Sequence, residues 1–260
     1  MLRVLDLFSG IGGFSLGLER TGGFRTVAFC EIEPYPRAVI AKNWPGTQCF
    51  DDVRTLTADQ LGAIDVICGG FPCQDISYAG DGKGIIEGTR SGLWIQFGRL
   101  ISELRPRYAI VENVAALLGR GLGQVLGDLA EIGYDAEWHS LDAFYAGVPQ
   151  YRPRVWIIAY PSRSRSEPVF HQDPIHVEGY RPWLDGQGRD NANPDDKDRG
   201  ACALSVLGNI EWTEIPDRER SGNNERLSVG THRYKTLGNA VVPQIPEIIG
   251  RSILEAERLT

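Results

Sequence analysis

The first 160 residues repeat one pattern, a short apolar run followed by a stretch with helical spacing. "RVLDLF" leads into "GFSLGLERT", "RTVAFCE" into "YPRAVIAKNW", "AIDVICGG" into "GLWIQFGRLISEL", and "RYAIVENV" into "GLGQVLGDLAEI". Strands this apolar are covered on both faces, and a helix after each one carries the chain back to start a parallel neighbour. The pattern predicts an α/β fold built on a doubly wound, mainly parallel sheet. "EWHSLDA" and "RVWIIAY" follow one another without a helix between them, which predicts an antiparallel edge. The repeat stops at Pro161. From there to about Lys235 turn formers dominate, "LDGQGRDNANPDDKDRG" being the extreme case, and the stretch reads as a small, loop-rich second lobe. "PQIPEIIGRSILEAERL" then restores amphipathic spacing, so the last helix is expected to pack back on the first lobe. The domain division that follows is 1–161 plus 236–260 for the main body and 162–235 for the second lobe.

Composition narrows the class. With 260 residues and 42% hydrophobic content the chain can bury a core of its own. It has no apolar run long enough to span a bilayer, and "MLRVLDLFSG" lacks the basic and apolar regions of a signal peptide, so a soluble, cytoplasmic protein with no membrane partner is expected. The five cysteines contain no Cys-x-x-Cys pair, and the histidines show no ligand spacing with them; reduced thiols and no metal are expected. A net charge of −7 argues against a general nucleic-acid coat. Local charge differs: residues 150–166 hold Arg152, Arg154, Arg163 and Arg165 and no acidic residue, and a local field suffices to hold a backbone.

In an open α/β sheet ligands sit at the carboxyl ends of the strands. After the first strand comes "DLFSGIGG", whose glycines allow a tight turn and close approach of a ligand to a helix N-terminus, although any tight turn of this kind uses glycine. Glu31 closes the second strand, where a carboxylate is placed to accept from ribose hydroxyls. The pair points to a nucleoside-containing cofactor. It does not favour a dinucleotide, because Ser15 stands where the third glycine of that fingerprint belongs. Asp52, in "CFDDV", either meets a base edge or caps a turn. Cys73 follows Pro72 in the polar, glycine-rich "FPCQDISYAGDGKG", unlike Cys68, which lies inside an apolar run. Glu112 ends "RYAIVEN", either as a cap or as a working carboxylate in a cleft. A cysteine nucleophile and a carboxylic acid on two strand ends of a sheet that also holds a nucleoside cofactor suit addition to an electron-poor ring.

The segments "DLFSGIGGFSLGLE", "CEIEPY", "DDV", "GGFPCQDIS", "SGLW", "VENV", "QYRPR" and "GNAVVPQI" occur in that order, and together the chain resembles the cytosine-5 DNA methyltransferases that use S-adenosylmethionine. The resemblance covers residues 4–160 and 236–255. It implies a Rossmann-like methyltransferase domain, a target-recognition lobe at 162–235, and methyl transfer to carbon 5 of a cytosine flipped out of duplex DNA. By the same resemblance Cys73 attacks carbon 6 and Glu112 hydrogen-bonds or protonates ring nitrogen 3. Arg152 and Arg154 orient the cytosine and a nearby phosphate, Pro72 fixes the thiol-bearing loop and Asn113 supports it. Phe8, Gly10, Gly12, Glu31, Asp52, Asn239 and Val241 then line the cofactor site, and residues 74–91 form a loop that closes over DNA. A monomer is expected.

The second lobe departs from the family pattern: it is short, its acidic residues slightly outnumber its basic ones, and only "ERL" at 225–227 is similar to a family motif. Arg181, Trp183, Trp212 and Arg226 either touch bases or build that lobe's core. Three other functions share parts of the pattern. An NAD-dependent oxidoreductase accounts for Gly10 to Glu31 but leaves "FPCQ" and "VENV" without a task. A catalytically silent DNA-binding relative does not need the complete catalytic motifs. A tRNA cytosine-5 methyltransferase uses the same motifs, but its typical Cys-Phe-Thr signature is absent. The motifs are common to restriction-modification, phage and solitary methylases.

Overall fold

The computed structural model describes residues 1–72, 91–146, 151–162, 169 and 238–259. In chain order the elements are β1 (Leu2–Leu7), α1 (Gly13–Arg20), β2 (Phe24–Cys30), α2 (Pro34–Asn43), β3 (Gln48–Phe50), β4 (Val66–Gly69), α3 (Trp94–Leu104), β5 (Tyr108–Val114), α4 (Leu117–Arg120), α5 (Leu122–Glu131), β6 (Tyr134–Asp142), β7 (Pro153–Pro161) and α6 (Gln244–Arg258). The strands form one sheet in the order β3-β2-β1-β4-β5-β7-β6. Its first five strands are parallel. The expected antiparallel pair is present, with β7 inserted between β5 and β6. The α/β class and the doubly wound, mainly parallel sheet are thus as the sequence reads. Of the second lobe expected at 162–235, only Ser162 and Val169 lie within the described residues; Val169 is buried, and its N–H donates to Glu137 Oε1 at 2.7 Å.

Alternation along the strands divides the core into two layers. Leu5, Leu7, Ile67, Ala109, Val111, Val155 and Ile157 face α3 and α5, where they meet Trp94, Phe97, Leu100, Val125 and Leu129. Val4, Val66, Ile110, Trp156 and Ile158 face the other way, onto Phe14 and Leu18 of α1 and Ile245, Ile249 and Ile253 of α6. The period of two in the strands and of three to four in the helices produces both layers from one apolar pattern. The last helix is held at its far end as well, where Tyr108 Oη donates to Glu257 Oε1 at 2.7 Å and Arg107 pairs with the same carboxylate.

The two ends of the chain meet at α1. A Cβ on Gly13 would lie 2.4 Å from the carbonyl oxygen of Val241, and one on Gly17 would lie 2.1 Å from that of Pro243. Glycine at these positions lets the backbone before α6 rest directly on the helix. Alanine at residue 17 is favoured by helix propensity by about 1 kcal/mol. The clash is with backbone, which cannot swing aside, and overpacking costs typically about 1–3 kcal/mol. The clash wins: Gly17→Ala is expected to lower stability by about 1 kcal/mol in urea unfolding, and an unchanged midpoint would show that the contact is absent.

Beneath this helix Asp6 of β1 is fully buried. Its Oδ2 accepts from Ser15 Oγ at 2.7 Å and from Ser15 N at 3.3 Å, and its Oδ1 has no partner among the described residues. Burial pushes its pKa from 3.8 to about 8, against the downward pull of the Ser15 hydrogen bonds. The folded chain therefore keeps a proton that the unfolded chain gives up near pH 4. The stability this group contributes is full below that pH and falls as pH rises towards about 8, where Asp6 ionises. Between pH 5 and 8 the parent is expected to lose more stability than Asp6→Asn, measured by denaturant titration; equal losses would mean that Asp6 ionises normally in the fold.

Candidate active site

All five parallel strands end at one edge of the sheet, and β7, running the other way, starts there: Val114 pairs with Arg154. The order reverses between β1 and β4, the switch point at which α/β sheets open a crevice. Residues far apart in sequence converge on this edge from both sides of the switch.

On the β1 side the turn after Leu7 is left-handed at Phe8 (φ 52°), Gly10 (φ 53°) and Gly12 (φ 84°). Phe8 holds a backbone conformation unusual for a residue with a Cβ, as occurs at ligand sites, and its ring stacks on Phe97 at 6.4 Å. Ser9 ties the turn to both neighbouring strand ends: its hydroxyl donates to the Asp6 carbonyl at 2.6 Å, and its N–H to the Cys30 carbonyl at 3.2 Å. Glu31 closes the clasp. Its Oε2 accepts from Gly10 N at 2.7 Å and its Oε1 from Glu33 N at 2.8 Å. Burial raises its pKa, while the amides of Glu33 and Gly10 pull it back. Ile32, which the sequence reading passed over, is 63% exposed beside this carboxylate. A large apolar residue directly after an acidic strand end was the signal available. Asp52 follows β3, and its carboxylate accepts from Arg54 Nε and Nη2 at 2.9 and 2.7 Å while its carbonyl accepts from Thr55 and Leu56 amides. These contacts are those of a turn cap, and they leave open the other reading of Asp52, contact with a base edge. Asn239 and Val241 come to the same edge from the segment before α6, Asn239 exposed and Val241 against Gly13.

Across the switch point Glu112, on β5, lies over the turn that follows β4. A Cβ on Gly70 would sit 2.6 Å from Glu112 Oε2, so only glycine admits the carboxylate this close to the "FPC" turn. Its Oε1 is 2.9 Å from Arg154 Nε, with side-chain exposures of 14% and 21% for the pair. Burial raises the Glu112 pKa, and the charges of Arg154 and then Arg152 draw it down. A carboxyl whose proton affinity burial raises, held beside a fixed cation, has the chemistry of a general acid or hydrogen-bond partner. Asn113 Nδ2 donates to the Phe71 carbonyl at 3.1 Å, one residue before Pro72, and its Oδ1 accepts from Val114 N at 2.9 Å. Phe71 is buried against Trp94 at 5.6 Å, so the turn is anchored as it leads to Pro72. The Arg152 guanidinium donates to the carbonyls of Gly238 and Ala240 at 2.5 and 3.2 Å.

Cys73 lies outside the described residues, as do residues 74–90 of the expected closing loop, Arg163, Arg165, and Arg181, Trp183, Trp212 and Arg226 of the second lobe. The thiols within the described residues are unsuited to nucleophilic work. Burial pushes Cys30 up to about 12 and Cys68 well above its ordinary value, and raises Cys49 as well. Among the described residues no group of three or more His, Cys, Asp or Glu side chains could hold a metal, and no helix is long and apolar enough to cross a membrane.

The Type II methyltransferase M2.BsuMI of Bacillus subtilis is 39% identical over 194 residues, which are 72% of this chain and 48% of that protein. The Type II methyltransferase M.NgoBI of Neisseria gonorrhoeae is 34% identical over 186 residues, 70% of this chain and 56% of its own. The chain thus spans about half the length of the curated relatives it matches. In fold it is similar to a mutant of Spodoptera frugiperda DNMT2, with a TM-score of 0.66 at 16% identity, covering 98% of this chain and 100% of that one. The family model for C-5 cytosine-specific DNA methylases matches residues 2–196, spanning both sides of the switch point, and the chain belongs to that family.

Proposed function

We propose that the chain is a DNA (cytosine-5-)-methyltransferase that takes its methyl group from S-adenosylmethionine and acts on a cytosine flipped from duplex DNA. The observation that carries this reading is the Glu112–Arg154 pair, seated against Gly70 on the turn that leads to Cys73. Only β4 lies between β5 and the strand that leads into the glycine turn, which supports a site where a base and a nucleoside cofactor meet.

The β1 side fits such a cofactor. Glu31 is nearly buried yet uses one hydrogen bond on each oxygen, which leaves acceptor capacity for hydroxyl donors. Ile32 offers apolar surface next to it, the left-handed turn at Phe8, Gly10 and Gly12 keeps side chains out of the way, and Asp52, Asn239 and Val241 border the same edge. When bound, S-adenosylmethionine supplies an electrophilic methyl group on a positively charged sulfur.

The chain's own residues prepare the acceptor. Carbon 5 of cytosine is a weak nucleophile. The Cys73 thiolate adds to carbon 6, and Glu112 protonates or hydrogen-bonds nitrogen 3, so the ring becomes enamine-like without building an anion. Arg154 holds Glu112 in place and sets its proton affinity against the effect of burial. Once carbon 5 has gained the methyl group, loss of its proton expels the Cys73 sulfur and restores the ring. Asn113 keeps the Phe71 carbonyl, and with it the start of the Pro72-Cys73 turn, fixed to β5. The lobe at 162–235 is assigned target recognition, and a monomer is sufficient for this chemistry.

The covalent step is tested with duplex DNA carrying 5-fluorocytosine, since fluorine at carbon 5 lets the methyl arrive but blocks release. A denaturing gel is expected to show a shifted band for the parent and for Cys68→Ala and none for Cys73→Ala; a band that survives in Cys73→Ala would assign the attack to another residue. Labelled methyl transfer to duplex DNA, with tRNA as the rival substrate, decides the nucleic acid. On the cofactor side Glu31→Ala removes both the hydroxyl acceptor and the tie to Gly10. It is expected to weaken S-adenosylhomocysteine by about 1.5–3 kcal/mol, the range for hydrogen bonds to a charged group. Unchanged calorimetric affinity would take Glu31 out of the site.

A further inference from the structure

Arg152 and Arg154 lie two residues apart at the start of β7, yet the structure sends them to different places. Arg154 reaches Glu112. Arg152 spans instead to the far end of the chain, where Nη1 meets the Gly238 carbonyl at 2.5 Å and Nη2 the Ala240 carbonyl at 3.2 Å. Those two carbonyls belong to the residues before and after Asn239, so the planar guanidinium grips the 238–241 backbone at the 238–239 and 240–241 peptides. A lysine carries the same charge but cannot place two donors in a fixed fork.

Both ends of this strut are anchored. At its base the Arg152 N–H donates to Asp142 at 3.2 and 3.1 Å, and Asp142 is nearly buried and also accepts from Phe144 N at 2.8 Å. At its tip the clamped segment runs straight on to Val241 and Pro243, whose carbonyls rest on Gly13 and Gly17 of α1, the helix that begins after the glycine turn. An unbroken path of hydrogen bonds and close backbone contact therefore links the strand bearing Arg154 to the turn bearing Gly10 and Gly12.

We propose that Arg152 is a positioning residue for the cofactor, holding Asn239 and Val241 against the glycine turn, so that the "QYRPR" stretch serves the base through Arg154 and the cofactor through Arg152. This rests on the reading that S-adenosylmethionine occupies the β1 side. It departs from the role that family resemblance implies for Arg152, which is contact with the cytosine or its phosphate.

The test is calorimetric titration of S-adenosylhomocysteine, without DNA, into the full chain and into Arg152→Ala, Arg152→Lys, Asn239→Ala and the double variant Arg152→Ala/Asn239→Ala. Thermal unfolding without ligand is recorded for each. Arg152→Ala is expected to lose tenfold or more in affinity and Arg152→Lys to lose an intermediate amount. In turnover the KM for S-adenosylmethionine is expected to rise more than kcat falls. The double variant should be no weaker than the weaker single variant, because Arg152 acts through the segment that carries Asn239. Parent-like affinity in Arg152→Ala overturns the inference while leaving the cofactor reading intact, and so do losses that multiply in the double variant. If Arg152→Ala does not fold, parent-like affinity in Arg152→Lys overturns the geometric role, since charge alone then suffices. A parent that binds no S-adenosylhomocysteine overturns the cofactor reading and this inference with it.

Discussion

The contact on which the site depends is one of backbone against backbone: the carbonyls of Val241 and Pro243 lying on Gly13 and Gly17. A parallel sheet built from the first part of the chain has its two faces covered by crossover helices, but one face here is completed by α6, which arrives after a long interval in sequence. Without side chains between them, the two segments approach closely enough for Ile245, Ile249 and Ile253 to enter the same layer as Phe14 and Leu18. The gain is apolar burial shared by the first and last helices. The requirement is glycine at two positions one helical turn apart.

Three acids sit near the working edge, and burial raises the proton affinity of each. The fold answers each differently. Asp6 meets the Ser15 hydroxyl and amide and the buried Cys68 thiol, with no charged donor among the described residues, and one oxygen has no described partner; burial keeps it protonated through neutral pH. Glu31 is met by two backbone amides, so it serves as a hinge pin between turns. Glu112 is met by a guanidinium, whose charge opposes the upward push of burial on its proton affinity. Similar burial thus yields a structural acid, a clasp and a candidate catalytic group, depending only on what donates to each.

Much of this was legible in the residue order. The apolar runs and helical stretches of the first 160 residues fall where β1 to β5 and their helices do, and the return of α6 to the first helix follows from its amphipathic spacing. The sheet order beyond β5 was not legible, because pairing partners are chosen by long-range packing: both late strands read as an edge, but β7 lies inside, between β5 and β6. In the site, strand-end position sufficed to pick out Glu31, Glu112 and the glycine turn. It did not reveal that Asp52 closes a turn with Arg54, or that Arg152 reaches Gly238, since a long side chain's partner depends on what the fold brings within its reach. Ile32 was overlooked because its one local signal, an apolar residue directly after an acidic strand end, does not say whether that residue is buried or exposed.

The direction of β7 bears on how the chain could be rebuilt. Its first residue stands at the working edge and its last, Pro161, pairs with Tyr134 at the opposite end of the sheet. Gly238 is back at the working edge, within reach of Arg152. The described chain therefore leaves the sheet at one end and rejoins it at the other, a separation of roughly 30 Å for a strand of this length. Joining Ser162 directly to Gly238 would pull α6 off α1. A minimal version without the intervening residues needs a connector of at least about nine extended residues, or new termini placed at that junction, which would remove the span without bridging it.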